Sequence, residues 1–382
     1  MKKIKVMTLL GIRPDLIRMS KLIGMLDNSK VIDHIFVHTG QHYSENLDKI
    51  FYEQLGLRHP DSNLGIGRPG QSLGHQLSSL MIKVEEALNH FKPEYVILLG
   101  DTNTALASII VARKNVKLIH IEAGMRSFDW RMPEEKNRVV ADHLSDILYI
   151  YLNDYANHAI LEGIEPAKIS VVGNPIVDIV KQWNEKIDST DIFWITKAAK
   201  KQFLFSTIHR EENVENVESL KNIISSLTEI SKIENKEMIL TLMPRTKSAL
   251  ERFNIDYSGI RTIEPVGFFQ CLALQRYAYC IFTDSGTIQE ESCILGTKCL
   301  TLRNSTERPQ AMECGAGILG GTEFESIMRS YHELKERPMT WEQPFGDGKS
   351  SQRILKDLEK RVLNPPSENP WVNKRIARGW VK

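Results

Sequence analysis

Acidic, basic and small residues crowd the ends of this sequence's short apolar runs, in a pattern that suits proton transfer beside a bound anion. Asp101 follows an apolar run that ends at Leu99, Glu122 closes another, and Glu134 opens a helical stretch behind Pro133. Carboxylates brought close together drive one another's pKa values apart, so one site can hold a proton donor and a proton acceptor near neutral pH. Taken singly, Asp101 serves equally well as a helix cap, and Glu134 as a first-turn residue paired with Arg138. Glu122, followed by Ala123 and Gly124, has no such structural task.

The anion side of the pattern is spread along the chain. Gly11-Ile12-Arg13-Pro14 forms a tight turn in which Pro14 opens a helix. His209 and Arg210 follow a strand-like run and suit phosphate binding or proton transfer; a lone histidine is usually structural, but the adjacent arginine at a strand's end brings the two readings level. In the stretch Thr283-Asp284-Ser285-Gly286-Thr287, small residues lead from a strand into a helix, so that backbone N–H groups are free to hold a diphosphate. Glu291, about a turn and a half further on, suits the two hydroxyls of a ribose. Thr306-Glu307-Arg308-Pro309 brings one more cation to the same rim.

Chemistry at strand ends requires strands, and the hydropathy pattern supplies them. Short β-branched runs at residues 4–10, 33–39, 95–100, 117–122 and 169–172 read as buried parallel strands, with helical patterns such as 71–89 and 134–144 between them. After a polar stretch at 184–201 the rhythm restarts, with strands expected at 202–207, 237–242, 279–283 and 298–302. Two α/β doubly wound, Rossmann-like domains follow, with ligands expected at the carboxyl ends of the strands. The boundary falls at Gly173-Asn174-Pro175, which gives a first domain of residues 1–174 and a second of 175–351. The remainder, 352–382, completes the first domain: a helix over 351–362 stops at Pro365-Pro366, and a tail with Trp371, Trp380 and four cations docks back.

At 382 residues the chain exceeds one ordinary hydrophobic core. With 42% hydrophobic and 25% charged residues it belongs with soluble globular proteins. A formal net charge of +1 argues against nucleic acid as a partner, whereas a small anion needs only a few well-placed cations. No apolar run of about eighteen residues and no cleavable leader are seen, so a cytoplasmic protein without membrane contact is expected. The five cysteines form no metal-ligand spacing and read as buried thiols, and no metal site is expected. Gly65-Ile66-Gly67-Arg68-Pro69-Gly70 spells GxGxxG but lacks a buried strand before it, so no redox cofactor is expected.

Together the motifs at 11–18, 100–104, 120–138, 209–213, 284–291 and 306–309 resemble, in chain order, those of the non-hydrolysing UDP-N-acetylglucosamine 2-epimerases. The resemblance implies the two-domain fold of the GT-B glycosyltransferases, with the active site in the interdomain cleft. It implies C2 epimerisation of a UDP-2-acetamido sugar, by default UDP-GlcNAc to UDP-ManNAc: anti elimination of UDP gives a 2-acetamidoglucal, and UDP then adds back. Asp101, Glu122, Glu134, His209 and Arg13 match the family's catalytic positions. Arg13, Arg18, His209, Ser285, Gly286, Thr287, Glu291 and Arg308 match its UDP contacts. The implied partners are the UDP-sugar and a second copy in a homodimer, with no cofactor. The chain departs from the family pattern at Asp15 and Arg18, at Thr287, and at Met132, where the family commonly has tryptophan. The family's allosteric contacts around Gln41-His42-Tyr43-Ser44 and Gly70 are only partly matched. The Ser-Gly-Thr turn also resembles the branch that makes UDP-N-acetyl-L-fucosamine from its 6-deoxy-talose epimer. A GT-B glycosyltransferase shares the fold and the nucleotide site but has no need of three acids.

Overall fold

The structure, a computed structural model, describes residues 2–40, 52–67 and 70–364. The tail with Trp371 and Trp380, the Gln41-His42-Tyr43-Ser44 segment, and Arg68 and Pro69 of the glycine-rich decoy lie outside the described residues.

Two parallel sheets organise the chain. The first joins β1 (Ile4–Leu10), β2 (Ile32–His38), β3 (Ser62–Asn63), β4 (Tyr95–Leu99), β5 (Lys117–Ala123), β6 (Ile147–Ile150) and β7 (Ile169–Val171) in the order β3-β2-β1-β4-β5-β6-β7. The second joins β8 (Phe203–Thr207), β9 (Glu237–Thr241), β10 (Arg261–Ile263), β11 (Ile281–Thr283), β12 (Cys299–Thr301) and β13 (Gly317–Leu319) in the order β10-β9-β8-β11-β12-β13. These are two Rossmann-like domains in a GT-B-like arrangement. Side-chain alternation along each strand feeds two cores. Val6 and Leu10 pack on one face of the first sheet with Leu22 and Phe36, while Met7 and Leu9 pack on the other with Val84 and Leu98.

Strand order fixes where ligands can enter. In both sheets the order reverses once, between β1 and β4 and between β8 and β11, and helices leave in opposite directions there to open a crevice at the carboxyl ends. Arg13 and Asp101 follow the first pair, His209 and Ser285 the second.

The strands that sequence missed are short or weakly patterned. β3 has two residues, β10 is a half-buried Arg-Thr-Ile and β13 is Gly-Ile-Leu, all too short to show a period, and β6 is a buried four-residue Ile-Leu-Tyr-Ile close behind the helix Pro133–Leu144. The polar stretch at 184–201 is structured as well. It forms helices Asn184–Ser189 and Phe193–Thr196, which place Ile187, Ile192 and Ile195 in the second domain's core. The last described helix, Ser350–Leu363, returns to the first domain, where Ile354, Leu358 and Val362 enter the core and Ser29 Oγ donates to Glu359 at 2.6 Å. No helix among the described residues is long and apolar enough to cross a membrane.

Candidate active site

The loop after β5 carries an unusual backbone. Glu122 has φ of +70°, a left-handed conformation that costs a non-glycine residue on the order of 1 kcal/mol or more, and the β5–β6 register slips between Ile121 and Ala123. This irregularity turns the Glu122 side chain out of the sheet alternation and into the cleft. Surrounding structure holds it there. His120, fully buried, bonds the Gly100 carbonyl at 2.8 Å through Nε2 and the Asp142 carboxylate at 2.7 Å through Nδ1, so it ties β5 to the turn that carries Asp101. Gly124 N–H donates to the same Asp142 at 3.0 Å.

Each of the three cleft acids meets an arginine. Glu122 is gripped by Arg18 from the first domain and by Arg308 Nη2 from the second, the latter at 2.7 Å, while the Tyr151 hydroxyl donates to it at 3.4 Å. Asp101 pairs with Arg138. Burial pushes the Asp101 carboxyl up, but Arg138 and Arg308 outweigh it and hold the group below the ordinary aspartate range. Glu134 stands 3.9 Å from Arg210 of the second domain. The helix-cap reading of Asp101 is not what the structure shows, and neither is the Glu134–Arg138 pair: Arg138 binds Glu135 at 2.9 Å and Asp101 instead.

On the opposite wall the helix Gly286–Leu295 opens behind Ser285, whose Oγ lies 3.2 Å from Thr287 Oγ1. Asp284 supports this opening from below. Its buried carboxylate accepts the backbone N–H groups of His209 at 3.0 Å and Arg210 at 2.9 Å and the Asn213 amide at 3.1 Å, so the loops after β8 and β11 form one surface. His209 Nδ1 is 3.3 Å from Asp284, and the ring remains substantially exposed to the cleft. A Cβ at Gly286 would come within 2.5 Å of Arg308 Nη1, so glycine is what lets the guanidinium lie over the helix opening. Glu291 is buried and accepts from Gln275 Nε2 at 2.7 Å; burial pushes its carboxyl up to about 7 despite that bond.

The expected residues therefore gather at one cleft, with two differences of placement. Arg18 is buried beneath Glu122 and also bonds Asp15 at 3.0 Å, so it supports the acid rather than standing at the helix opening. Arg13 occupies the first turn of the helix Arg13–Asp27, which directly follows β1. Sequence reasoning gave no role to Arg303, Glu290 or Glu307 and paired Arg138 with Glu134; all four are nearly fully buried here. Their one signal was position: Arg138, Glu290 and Glu307 lie inside the motifs at 120–138, 284–291 and 306–309, and Arg303 directly follows the apolar run at 298–302. The two walls touch directly: besides Arg308–Glu122, Tyr155 donates to Gln310 at 2.5 Å, Ser305 to Asp129 at 3.0 Å and Phe268 N–H to Gln54 at 3.2 Å. Among the described residues no cluster of three or more His, Cys, Asp or Glu is placed to hold a metal ion.

This geometry can be set against known proteins. The family model for UDP-N-acetylglucosamine 2-epimerase matches residues 25–359. The chain belongs to the UDP-N-acetylglucosamine 2-epimerase family. A family member from Methanocaldococcus jannaschii, named UDP-N-acetylglucosamine 2-epimerase, is 43% identical over 363 residues, which cover 93% of this chain and 98% of that one. Its crystal structure in complex with UDP-GlcNAc and UDP superposes with a TM-score of 0.88 at 41% identity, covering 93% of this chain and 99% of that one. A relative from Pseudomonas aeruginosa, UDP-2,3-diacetamido-2,3-dideoxy-D-glucuronate 2-epimerase, is 34% identical over 360 residues, 93% of this chain and 99% of its own. As a member of this epimerase family the chain is an isomerase.

Proposed function

We propose that the chain inverts C2 of a UDP-linked 2-acetamido sugar, with UDP-N-acetylglucosamine as the substrate, by elimination and re-addition of UDP across the cleft. The observation that carries this reading is the convergence of Asp101, Glu122 and Glu134 on a wall that faces the helix opening at Ser285, with Arg308 reaching from one wall to the other. The names of the 43% and 34% identical relatives support the class of substrate, and the more similar of them supports the choice of sugar.

A C2 proton beside an acetamido group is only weakly acidic, so departure of a stabilised diphosphate must carry much of the barrier. Backbone N–H groups at the start of the helix Gly286–Leu295, with Arg308, His209 and Arg13, stabilise that leaving group. One acid takes the proton from one face of C2, and a second acid, in exchange with solvent, protonates the opposite face as UDP adds back. Contacts between the walls limit the access of water, which would otherwise add across the glycal double bond and give the free sugar. Turnover in deuterium oxide is expected to place deuterium at C2 of the product. Complete retention of protium at C2, with turnover otherwise normal, would remove the elimination mechanism. Offering the 6-deoxy-talose and diacetamido-glucuronate sugars beside UDP-N-acetylglucosamine, with proton NMR as readout, settles the sugar. The expected homodimer is measured by sedimentation.

Glu291 gives a prediction with a definite sign. In the empty protein its carboxyl titrates near 7 rather than at the ordinary 4.5, because burial disfavours the charged form. Its favourable contribution to folding is therefore present below pH 4.5 and is lost as pH rises through about 7, by up to roughly 3 kcal/mol. Glu291→Gln is expected to raise the melting temperature of the empty protein at pH 8 and to leave it unchanged at pH 4. If the ionised carboxylate accepts the ribose hydroxyls, the same variant weakens UDP binding about tenfold or more at pH 8. Equal melting curves of parent and variant at pH 8 would show that Glu291 is not a buried charge.

A further inference from the structure

We propose that Glu307 is a positioning residue which sets the charge balance of the whole cleft by sharing the arginines that hold the three acids. The inference rests on the epimerase reading of those acids. Glu307 follows β12, is nearly fully buried, and touches no acid directly. Instead it ion-pairs with Arg308, pairs with Arg303 Nη2 at 3.0 Å and stands 3.9 Å from Arg210 Nη2. Arg308 holds Glu122, Arg210 faces Glu134, and Arg138, which holds Asp101, is close enough to act on Glu307 electrostatically. Each acid is thus one guanidinium away from the same carboxylate.

The other charged groups around this hub close the account. Arg308 also meets Glu290 at 3.2 Å, Arg138 meets Glu135 at 2.9 Å, Arg210 lies 3.8 Å from Glu212 and near Asp284, and Arg18 backs Glu122. Arg303 differs from the other arginines, since its remaining contact is the Met132 sulfur at 3.3 Å rather than an acid. Glu307 also borders the phosphate wall, because one of its oxygens lies 3.0 Å from where a Cβ on Gly286 would stand. Burial raises the Glu307 carboxyl, but Arg308, Arg303, Arg138 and Arg210 outweigh it, so the group stays ionised at working pH. A negative charge here weakens the hold of each arginine on its acid and opposes the incoming diphosphate. Glu307 thereby tempers the field of the arginines on the three acids and keeps UDP from binding too tightly to leave.

The hub and its partner Arg303 give variants of opposite sign. In Glu307→Gln the arginines bear harder on Asp101, Glu122 and Glu134, so the pH profile of kcat/KM moves down by about one unit. UDP titrated alone binds several-fold more tightly. In Arg303→Gln, Glu307 leans harder on the other arginines and the profile moves up. Glu307→Asp keeps the charge and leaves the profile where the parent has it, even if turnover falls. A purely structural Glu307 would instead give weaker UDP binding in Glu307→Gln and profiles that do not move. That result, or profiles moving the same way in Glu307→Gln and Arg303→Gln, overturns the proposal. If one of these two fails to fold, the sign of the shift in the other, with Glu307→Asp as reference, decides. The UDP titration needs no turnover, so a failed epimerase assay of the parent protein is distinguishable from a failed hub.

Discussion

Glu122→Gln is expected to lower kcat by about 10²- to 10⁴-fold, the range for loss of a positioned proton-transfer group, while UDP still binds. The amide has nearly the same shape but is not a base at working pH. Because Glu122 and the phosphate wall share Arg308, neutralising Glu122 leaves that guanidinium more available to a diphosphate, and the UDP dissociation constant should stay level or fall. Stability should drop by a few kcal/mol, since Arg18 and Arg308 are buried and each loses a charged partner. Steady-state rates, calorimetric UDP titration and a melting curve separate the three effects. A variant that turns over normally, or whose loss lies wholly in UDP affinity, would show that Glu122 supports the cleft without taking part in proton transfer.

The second large effect concerns folding of the loop that presents this acid. Gly124 has φ of +76°, and a Cβ there would lie well inside contact distance of the Tyr155 carbonyl oxygen and 3.1 Å from Ile150 Cδ1. The nearest atom is backbone, which cannot rotate away. Gly124→Ala therefore combines a left-handed alanine, about 1 kcal/mol, with overpacking of about 1–3 kcal/mol, a large part of a typical margin of about 5–15 kcal/mol. The shift would also carry the Gly124 N–H away from Asp142 and disturb Glu122 two residues earlier. A urea titration should show a clearly lower midpoint, with activity lost in the fraction that remains folded. A midpoint within error of the parent's would mean that the loop moves freely, and that the conformation of Glu122 is not imposed by its surroundings.

Much of this protein could be read without coordinates, and the reason is topological. A parallel sheet sends all its strands out at one edge, so polar residues placed just after apolar runs must share that edge wherever the strands lie in sequence. Arg13, Asp101, Glu122, His209, Ser285 and Arg308 were legible on that ground, as were the longer strands. Three-residue strands such as β10 and β13 were not, because a run that short carries no period.

Which cation holds which acid was decided only by tertiary structure. Arg138 lies four residues from Glu134, and local spacing favours that pair, yet it binds Asp101, 37 residues away. Glu122 meets Arg18 across 104 residues and Arg308 across 186, separations at which chain spacing has no say. The left-handed turn at Glu122 is equally a product of packing, since no glycine or asparagine advertises it. Residue types at strand ends fix what chemistry is available. The docking of two domains fixes which charges meet, because Coulomb interactions depend on distances through space that only the closed cleft defines.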